Sequence, residues 1–455
     1  MRWFNFILIS TAAVLAFSGA VSRAFADSTV QLPPPGSNTS AGPTTQSENT
    51  ELTALTGARA PDPYFEPKGI PLGGPFRLFP NLFSSLGYDD NVYRGFGPAK
   101  VASPVWEIDP TLILDYDIER LRLDAYGQGS YQDLNQYDVK TYNAGLQGQY
   151  EISHDAMFAF NASDGLFYEM YQSANTLPAE RRPNEYYLVD LSGKFSFKPN
   201  RLGITAGGSY DSYAFTSTPL NIPPGIQYFG FRNAQIAKEW VEGSYDFSPG
   251  YSVFVRGTYN IDHYSHLDTF SDPPFAINRS SDGYSIDGGL NLLLGDLAQG
   301  EIYAGWLDQF YNKHQAVPLR DISGIDFGAN VTWYPTELLT VKLAGARQIE
   351  NTIFVAAGHV ASAGDDKNAT LTLDYELLRR LHLNGNVGYD DVNYRGGGRE
   401  DQALMGGLGA KWLMSHYVWL SANYQYTNRW SIVRAGVPSG HYVDNFFTVG
   451  LNLQD

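Results

Sequence analysis

The sequence predicts an all-β chain: a single transmembrane antiparallel β-barrel of about 18 strands in the outer membrane of a Gram-negative cell. Three observations predict it. The chain opens with an export signal, and no later run is apolar enough for a spanning helix. From residue 76 onward, alternating apolar and polar segments are separated by breaks that are alternately short and long.

The signal peptide is read as residues 1–26. Arg2 supplies the positive charge, residues 4–20 are almost wholly apolar, and Ala24-Phe25-Ala26 is a small-x-small cleavage site. Asp27 is then the first mature residue. The chain has no Cys, so it carries no lipoprotein attachment site and uses no disulfide. Residues 27–73 read as a disordered periplasmic linker. The run from Gln31 through Pro33, Pro34 and Pro35, a Ser/Thr/Asn stretch, and Pro61, Pro63 and Pro67 offer nothing to bury.

Residues 74–455 read as the barrel. Short breaks fall at 118–120, 153–155, 198–201, 248–250, 295–298, 335–337, 378–380 and 414–416. Long breaks fall near 89–102, 134–139, 172–184, 216–231, 265–280, 313–320, 353–365, 395–400 and 431–440. Eight turns and nine loops separate eighteen strands, with both chain ends on the periplasmic side. Outer-membrane barrels share this asymmetry and an even strand number.

The side-chain period is two. Over 121–131, Leu121, Leu123, Ala125, Gly127, Gly129 and Tyr131 share one face, and Arg122, Asp124, Tyr126, Gln128 and Ser130 the other. The same alternation runs through 142–152 and 325–333. In 234–247 it is less clean, because Lys238 and Trp240 share a face, as a bulge or register shift would produce. Aromatic rings gather at strand ends. Tyr88, Tyr131, Tyr210, Tyr259, Tyr389 and Tyr426 precede long loops, and Tyr116, Tyr150, Phe247, Trp333, Tyr375 and Trp412 flank short turns. Two interfaces of a bilayer favour two such belts. A β-propeller has a similar hairpin spacing, but its strands are shorter and its loops need not alternate. The final segment, 443–453, is an amphipathic strand with Phe447, Val449, Leu451 and Leu453 on one face. It is similar to the terminal signal that barrel-insertion machinery reads, although the last residue is not aromatic.

Composition narrows the function. Asp+Glu number 48 against Lys+Arg 31, giving a net charge of -17. That balance argues against a nucleic-acid partner. Polar faces of the strands must line the lumen. The charged lumen-lining candidates are Glu107, Asp109, Arg122, Asp124, Glu151, Lys194, Arg256, Asp287, Asp326 and Lys342, joined by Asp190 and Asp374. Rings of such charges set selectivity in pores; alternatively, they pair internally and stiffen the wall.

The first strand ends Gly87-Tyr88-Asp89-Asp90-Asn91-Val92-Tyr93-Arg94. With the signal peptide, the Pro-rich linker and the barrel-length repeats, this ending resembles the outer-membrane β-barrel porins linked to capsular and exopolysaccharide gene clusters. The resemblance covers about residues 70–455. It implies passage of secreted polysaccharide across the outer membrane. The motif is echoed at Gly388-Tyr389-Asp390-Asp391. Both copies could form a cation- or sugar-binding cluster of carboxylates, since oxygen ligands suit Ca²⁺. A belt tyrosine followed by a solvated loop explains them as well, and neither has calcium-loop spacing.

Nothing points to an enzyme or a cofactor. His263 and His266 stand three apart, which puts them on opposite faces of a strand. No nucleophile elbow, zinc-protease motif or phosphate loop occurs. The expected function is a passive conduit for exopolysaccharide or capsular polysaccharide. The alternatives are a diffusion porin for small solutes and a structural or adhesive barrel. Its expected partners are outer-membrane lipid and lipopolysaccharide, the barrel-insertion machinery, and periplasmic polysaccharide-export proteins.

Overall fold

The structure is a computed structural model. It describes residues 64–134, 137–169, 171, 182–221, 224–268, 276–295 and 297–455. The signal peptide and most of the linker lie outside the described residues.

Eighteen long strands form the wall. They are β1 (Phe76–Asp89), β2 (Ser103–Ile118), β3 (Leu121–Asp133), β4 (Asp138–Ser153), β5 (Ala156–Tyr168) and β6 (Glu185–Phe197). Next come β7 (Leu202–Phe215), β8 (Ala234–Ser248), β9 (Tyr251–Tyr264), β10 (Ser281–Leu293), β11 (Ala298–Tyr311) and β12 (Ile322–Thr336). The last six are β13 (Leu339–Asn351), β14 (Ala363–Leu378), β15 (Leu381–Tyr394), β16 (Arg399–Leu413), β17 (Val418–Val433) and β18 (Tyr442–Gln454). Each pairs antiparallel with its sequence neighbours, and β1 pairs with β18 to close the barrel. All eight expected turns and all nine expected loops fall between these strands. Closure is what lipid demands, because hydrocarbon offers no hydrogen bonds to an unpaired strand edge.

The closing seam runs in register from Asn81–Gln454 to Asp89–Phe446. Below Asn81, β1 continues past the end of β18 and would expose its edge. A short strand, Ile70–Gly73, covers it by pairing Ile70 with Leu78 and Pro71 with Arg77. Gly73 and Gly74, at φ 110 and 59, make the tight reversal that returns the chain to β1. This corrects the expectation of a linker disordered through residue 73. Its last residues are tied to the barrel by the unpaired edge. Arg77 also donates to the Lys68 carbonyl at 3.2 Å, and the Arg380 guanidinium lies 5.8 Å from the Phe65 ring.

The faces sort as the period of two requires. Large apolar side chains such as Leu86, Val255, Ile286, Ile325 and Leu408 are exposed on the outside of the barrel. Each of the expected belt rings lies on this outward face, and several, such as Tyr88 and Trp412, are exposed there. Near the outer rim, Tyr142 and Tyr284 donate their hydroxyls to Asp164 and Asp308 at 3.1 and 2.8 Å. Amphipathic rings with polar tips suit the interface. In β8, Lys238 and Trp240 do share a face, the inward one. The strand keeps continuous register with both neighbours from Ala234 to Tyr245, so no bulge is needed there.

The outer part of β12 departs from the pattern. β12 pairs with β13 from Gly328 to Trp333 and again at Thr336, but not above Gly328. The outer end of β12 therefore lacks a partner on that side. Arg347 of β13 fills the gap. Alternation from Leu343 would aim it outward, yet it is only 6% exposed. Its Nη1 donates to the Ile325 carbonyl at 2.7 Å and its Nε to Asp365 Oδ1 at 2.7 Å. Gly324, at φ 147, lies where a Cβ would meet the guanidinium at 3.0 Å.

Two outcomes check this fold. In detergent extracts, the unboiled protein should migrate differently from the boiled protein on a gel. Arg347→Ala should lower the temperature at which the unboiled form is lost, corresponding to about 3 kcal/mol for breaking a buried ion pair. Arg347→Lys should restore only part of it, because an ammonium lacks the planar fork that serves two acceptors.

Candidate functional site

The lumen wall and the outer mouth hold the chain's polar constellations. All ten lumen-lining candidates lie on the inward face. Glu107 accepts from Ser85 Oγ at 3.1 Å and from Gln132 Nε2 at 2.5 Å. Both carboxylate oxygens of Asp109 are buried without a hydrogen-bond partner. Asp109 and Pro110, which has no N–H to donate, drop out of the β2–β3 ladder. Arg122 lies between Asp115 and Asp124, 3.5 and 3.9 Å from them. Glu151, Lys194 and Lys342 sit on the inward face near the periplasmic end.

Arg256 is the best-anchored of the ten. It donates to Glu242 and Glu301, each at 2.8 Å. The rings of Trp240, Phe254 and Tyr303 lie 5.8, 4.8 and 5.8 Å from its guanidinium. Asp287 faces Arg256 in the ladder, and Gly305 separates it from Asp326. Asp287 and Asp326 each keep one buried oxygen without a partner. The sequence missed the ring cluster because Glu242, Arg256 and Glu301 come from three different strands.

The motif at the end of β1 does something the sequence did not suggest. Asn91 is fully buried. Its Nδ2 donates to the carbonyls of Gly95 and Val443 at 2.9 and 2.8 Å, and its Oδ1 accepts from Gly95 N at 2.8 Å. Asp89 accepts from Asn91 N at 2.6 Å. Asp90 accepts from Asn445 N and Asn445 Nδ2, both at 2.8 Å. The motif thus clasps β1 to β18 at the rim, instead of opening a solvated loop. Gly87 and Tyr88 lead into it; a Cβ on Gly87 would meet the Phe447 carbonyl at 2.7 Å. The echo at Asp390 and Asp391 makes no such clasp. Asp391 pairs with Lys367 at 3.4 Å, and Asp390 faces Asp366.

Asp89, Asp90 and Asp444 bring three carboxylates within 4.8 Å of one another. Asn445, Lys100 and Arg94 already supply donors and positive charge there. Neither His263 nor His266 belongs to such a group among the described residues.

Outer loops pack on one another through buried arginines. Arg279 donates to Asp268 at 2.9 Å, and to the carbonyls of Thr352 and Ala361 at 2.7 and 3.0 Å, tying two loops together. Arg232 holds Glu169 with two hydrogen bonds and lies 3.9 Å from the Phe215 ring. Tyr137, between β3 and β4, donates to the Val92 carbonyl at 3.1 Å, and burial pushes its phenol well above the ordinary value. Arg94 turns inward at φ 52 and borders a small recess with Asp390, Arg429 and Tyr442. Burial alone would lower its guanidinium, but Tyr442, Asp444, Tyr137 and Asp89 outweigh that and hold it above its usual value.

Asn91→Ala should weaken the seam by about 3 kcal/mol, since three buried partners lose their hydrogen bonds. The readout is the temperature at which the unboiled form disappears, which should fall further than for an exposed control such as Asn200→Ala.

The family comparison agrees with this architecture. The profile of the family described as "Putative beta-barrel porin 2" matches residues 62–455. Among solved structures, a ferric enterobactin receptor mutant from Pseudomonas aeruginosa is 11% identical, with 82% of this chain and 81% of that chain covered at a TM-score of 0.41. OccK2 of the same organism, in complex with glucuronate, is 11% identical, with 83% and 98% covered at 0.42. These likenesses carry no argument about cargo. No curated protein matches the chain. With nearly its whole described length matched, the chain belongs to this family of β-barrel porins and is a protein of the outer membrane.

Proposed function

We propose that the chain is a passive conduit through which exopolysaccharide or capsular polysaccharide leaves the cell. The observation that carries this reading is the cluster around Arg256. There the half-buried rings of Trp240 and Tyr303 line the wall beside the carboxylates of Glu242 and Glu301, over a buried Phe254. Sugar rings present apolar C–H faces and hydroxyl edges. A lumen wall that alternates rings with hydrogen-bond acceptors matches both without holding either tightly. Passage needs weak, repeated contacts, since strong binding would halt it.

No side chain performs chemistry in this reading. Synthesis upstream drives the polymer, and periplasmic export proteins hand it to the barrel. Barrel-insertion machinery delivers the chain to its place among lipid and lipopolysaccharide. The second reading, a diffusion porin for small solutes, is favoured by the same polar wall if no polymer engages it.

Deleting the gene should lower both cell-surface and released polysaccharide, with polymer accumulating in the periplasm. Unchanged polymer together with slower uptake of small solutes would overturn the conduit reading and favour the diffusion porin. Trp240→Ala, read in the same assay, should reduce export several-fold while the unboiled folded band persists.

A further inference from the structure

The inward wall carries paired acids. Asp190 stands opposite Asp211 in the β6–β7 ladder, and Asp366 lies beside Asp390 across the β14–β15 ladder. In each pair the two carboxyls lie within hydrogen-bonding reach of one another, so they hold one proton between them and the pair carries a single negative charge. Asp115 and Asp124 face each other in the same way, with Arg122 between them. On the outward face the pairings are complementary instead: Lys140 with Asp138 at 2.7 Å, and Lys367 with Asp391 at 3.4 Å. The β14–β15 ladder thus places acid beside acid inside and lysine against aspartate outside.

A second observation bears on what these acids meet. Asp211 is only 2% exposed, and its Oδ2 has no hydrogen-bond partner. Asn161 serves Asp190 at 2.5 Å, and Gln348 and Asn368 serve Asp366 at 2.9 and 2.8 Å. These amides are neutral and leave the excess negative charge in place. Lys238 acts on Asp211 with its positive charge, and Asp190 and Asp262 oppose it.

We propose that the lumen is cation-selective, that Asp190–Asp211 and Asp366–Asp390 set this selectivity, and that the cargo is an uncharged or cationic polymer. This rests on the conduit reading. A low-dielectric wall strengthens the field of its fixed charges, so each pair raises the local concentration of cations and lowers that of anions. A polyuronate would bring a carboxylate on each residue past both pairs in turn. A neutral glucan or an amino-sugar polymer would meet no such barrier. Outward acids such as Asp164 and Asp308 do not face the path and should not contribute.

The test is the reversal potential of the purified full-length protein in a planar bilayer under a tenfold KCl gradient. The expected result is permeation of K⁺ several-fold over Cl⁻. The isosteric variant D190N/D211N/D366N/D390N should bring that ratio close to one, whereas D164N/D308N should leave it unchanged. Conductance that favours Cl⁻, or a ratio that the four substitutions do not move, would overturn this inference and leave the conduit reading standing. Absence of any conductance by folded, heat-modifiable protein would overturn both. Should the quadruple variant fail to fold, the wild-type ratio alone decides the sign of the selectivity, and the D190N/D211N pair decides the assignment.

Discussion

The ladder between β1 and β18 is the interaction on which everything else depends. A β-sheet in hydrocarbon has no water to satisfy its edges, and each unsatisfied backbone group costs several kcal/mol, of order 1–7. Neighbouring hairpins can form from local contacts. The first and last strands meet only after the whole chain between them has been placed. The structure spends several devices on this one seam. Nine rungs pair the strands, Ile70–Gly73 covers the overhang at the periplasmic end, and Asn91 and Asp90 bind Val443 and Asn445 at the outer rim.

Closure then decides what the two faces must be. The outward face meets lipid, so a charge there costs roughly 2–4 kcal/mol at mid-depth. The exposed Leu, Ile, Val and aromatic residues follow from that cost. The inward face has no such restriction and carries the charged residues, from Glu107 to Asp444. A soluble domain would fill its interior with apolar side chains. Here apolar clusters among described residues occur near the outer end, such as Ile277 with Leu319, Ile322 and Ala363.

The loops repeat the same logic at the mouth. Arg279, Arg232 and Arg347 are each almost wholly buried, and each donates to a carboxylate. Arg279 and Arg347 also take up backbone carbonyls that no strand can reach. A guanidinium suits such places because its five donors lie in one rigid plane. Loops of moderate length are thereby held to one another without a long plug segment among the described residues.

The eighteen strands, the positions of all the turns and loops, and the inward placement of Glu107, Arg256 and Asp326 were legible in the sequence. They rest on local rules: a period of two, turn residues between the strands, and a lipid face that is mainly apolar. Contacts between distant segments were not legible. Nothing in Asn91 itself announces that Val443 will lie 2.8 Å away, and the sequence reads its motif equally as a loop start. Ile70–Gly73 reads as linker until the overhang of β1 creates an edge for it to cover. Arg347 reads as an outward charge until β12 parts from β13. The pairing of Asp190 with Asp211 needs the register between two strands, which a shift of one residue would abolish. Which segments cross the membrane, and which face of each is polar, follow from short-range periodicity and are written in the residues themselves. How the barrel is sealed, and which charges meet in its lumen, depend on strands brought together only by closure, so they emerge from the assembled fold.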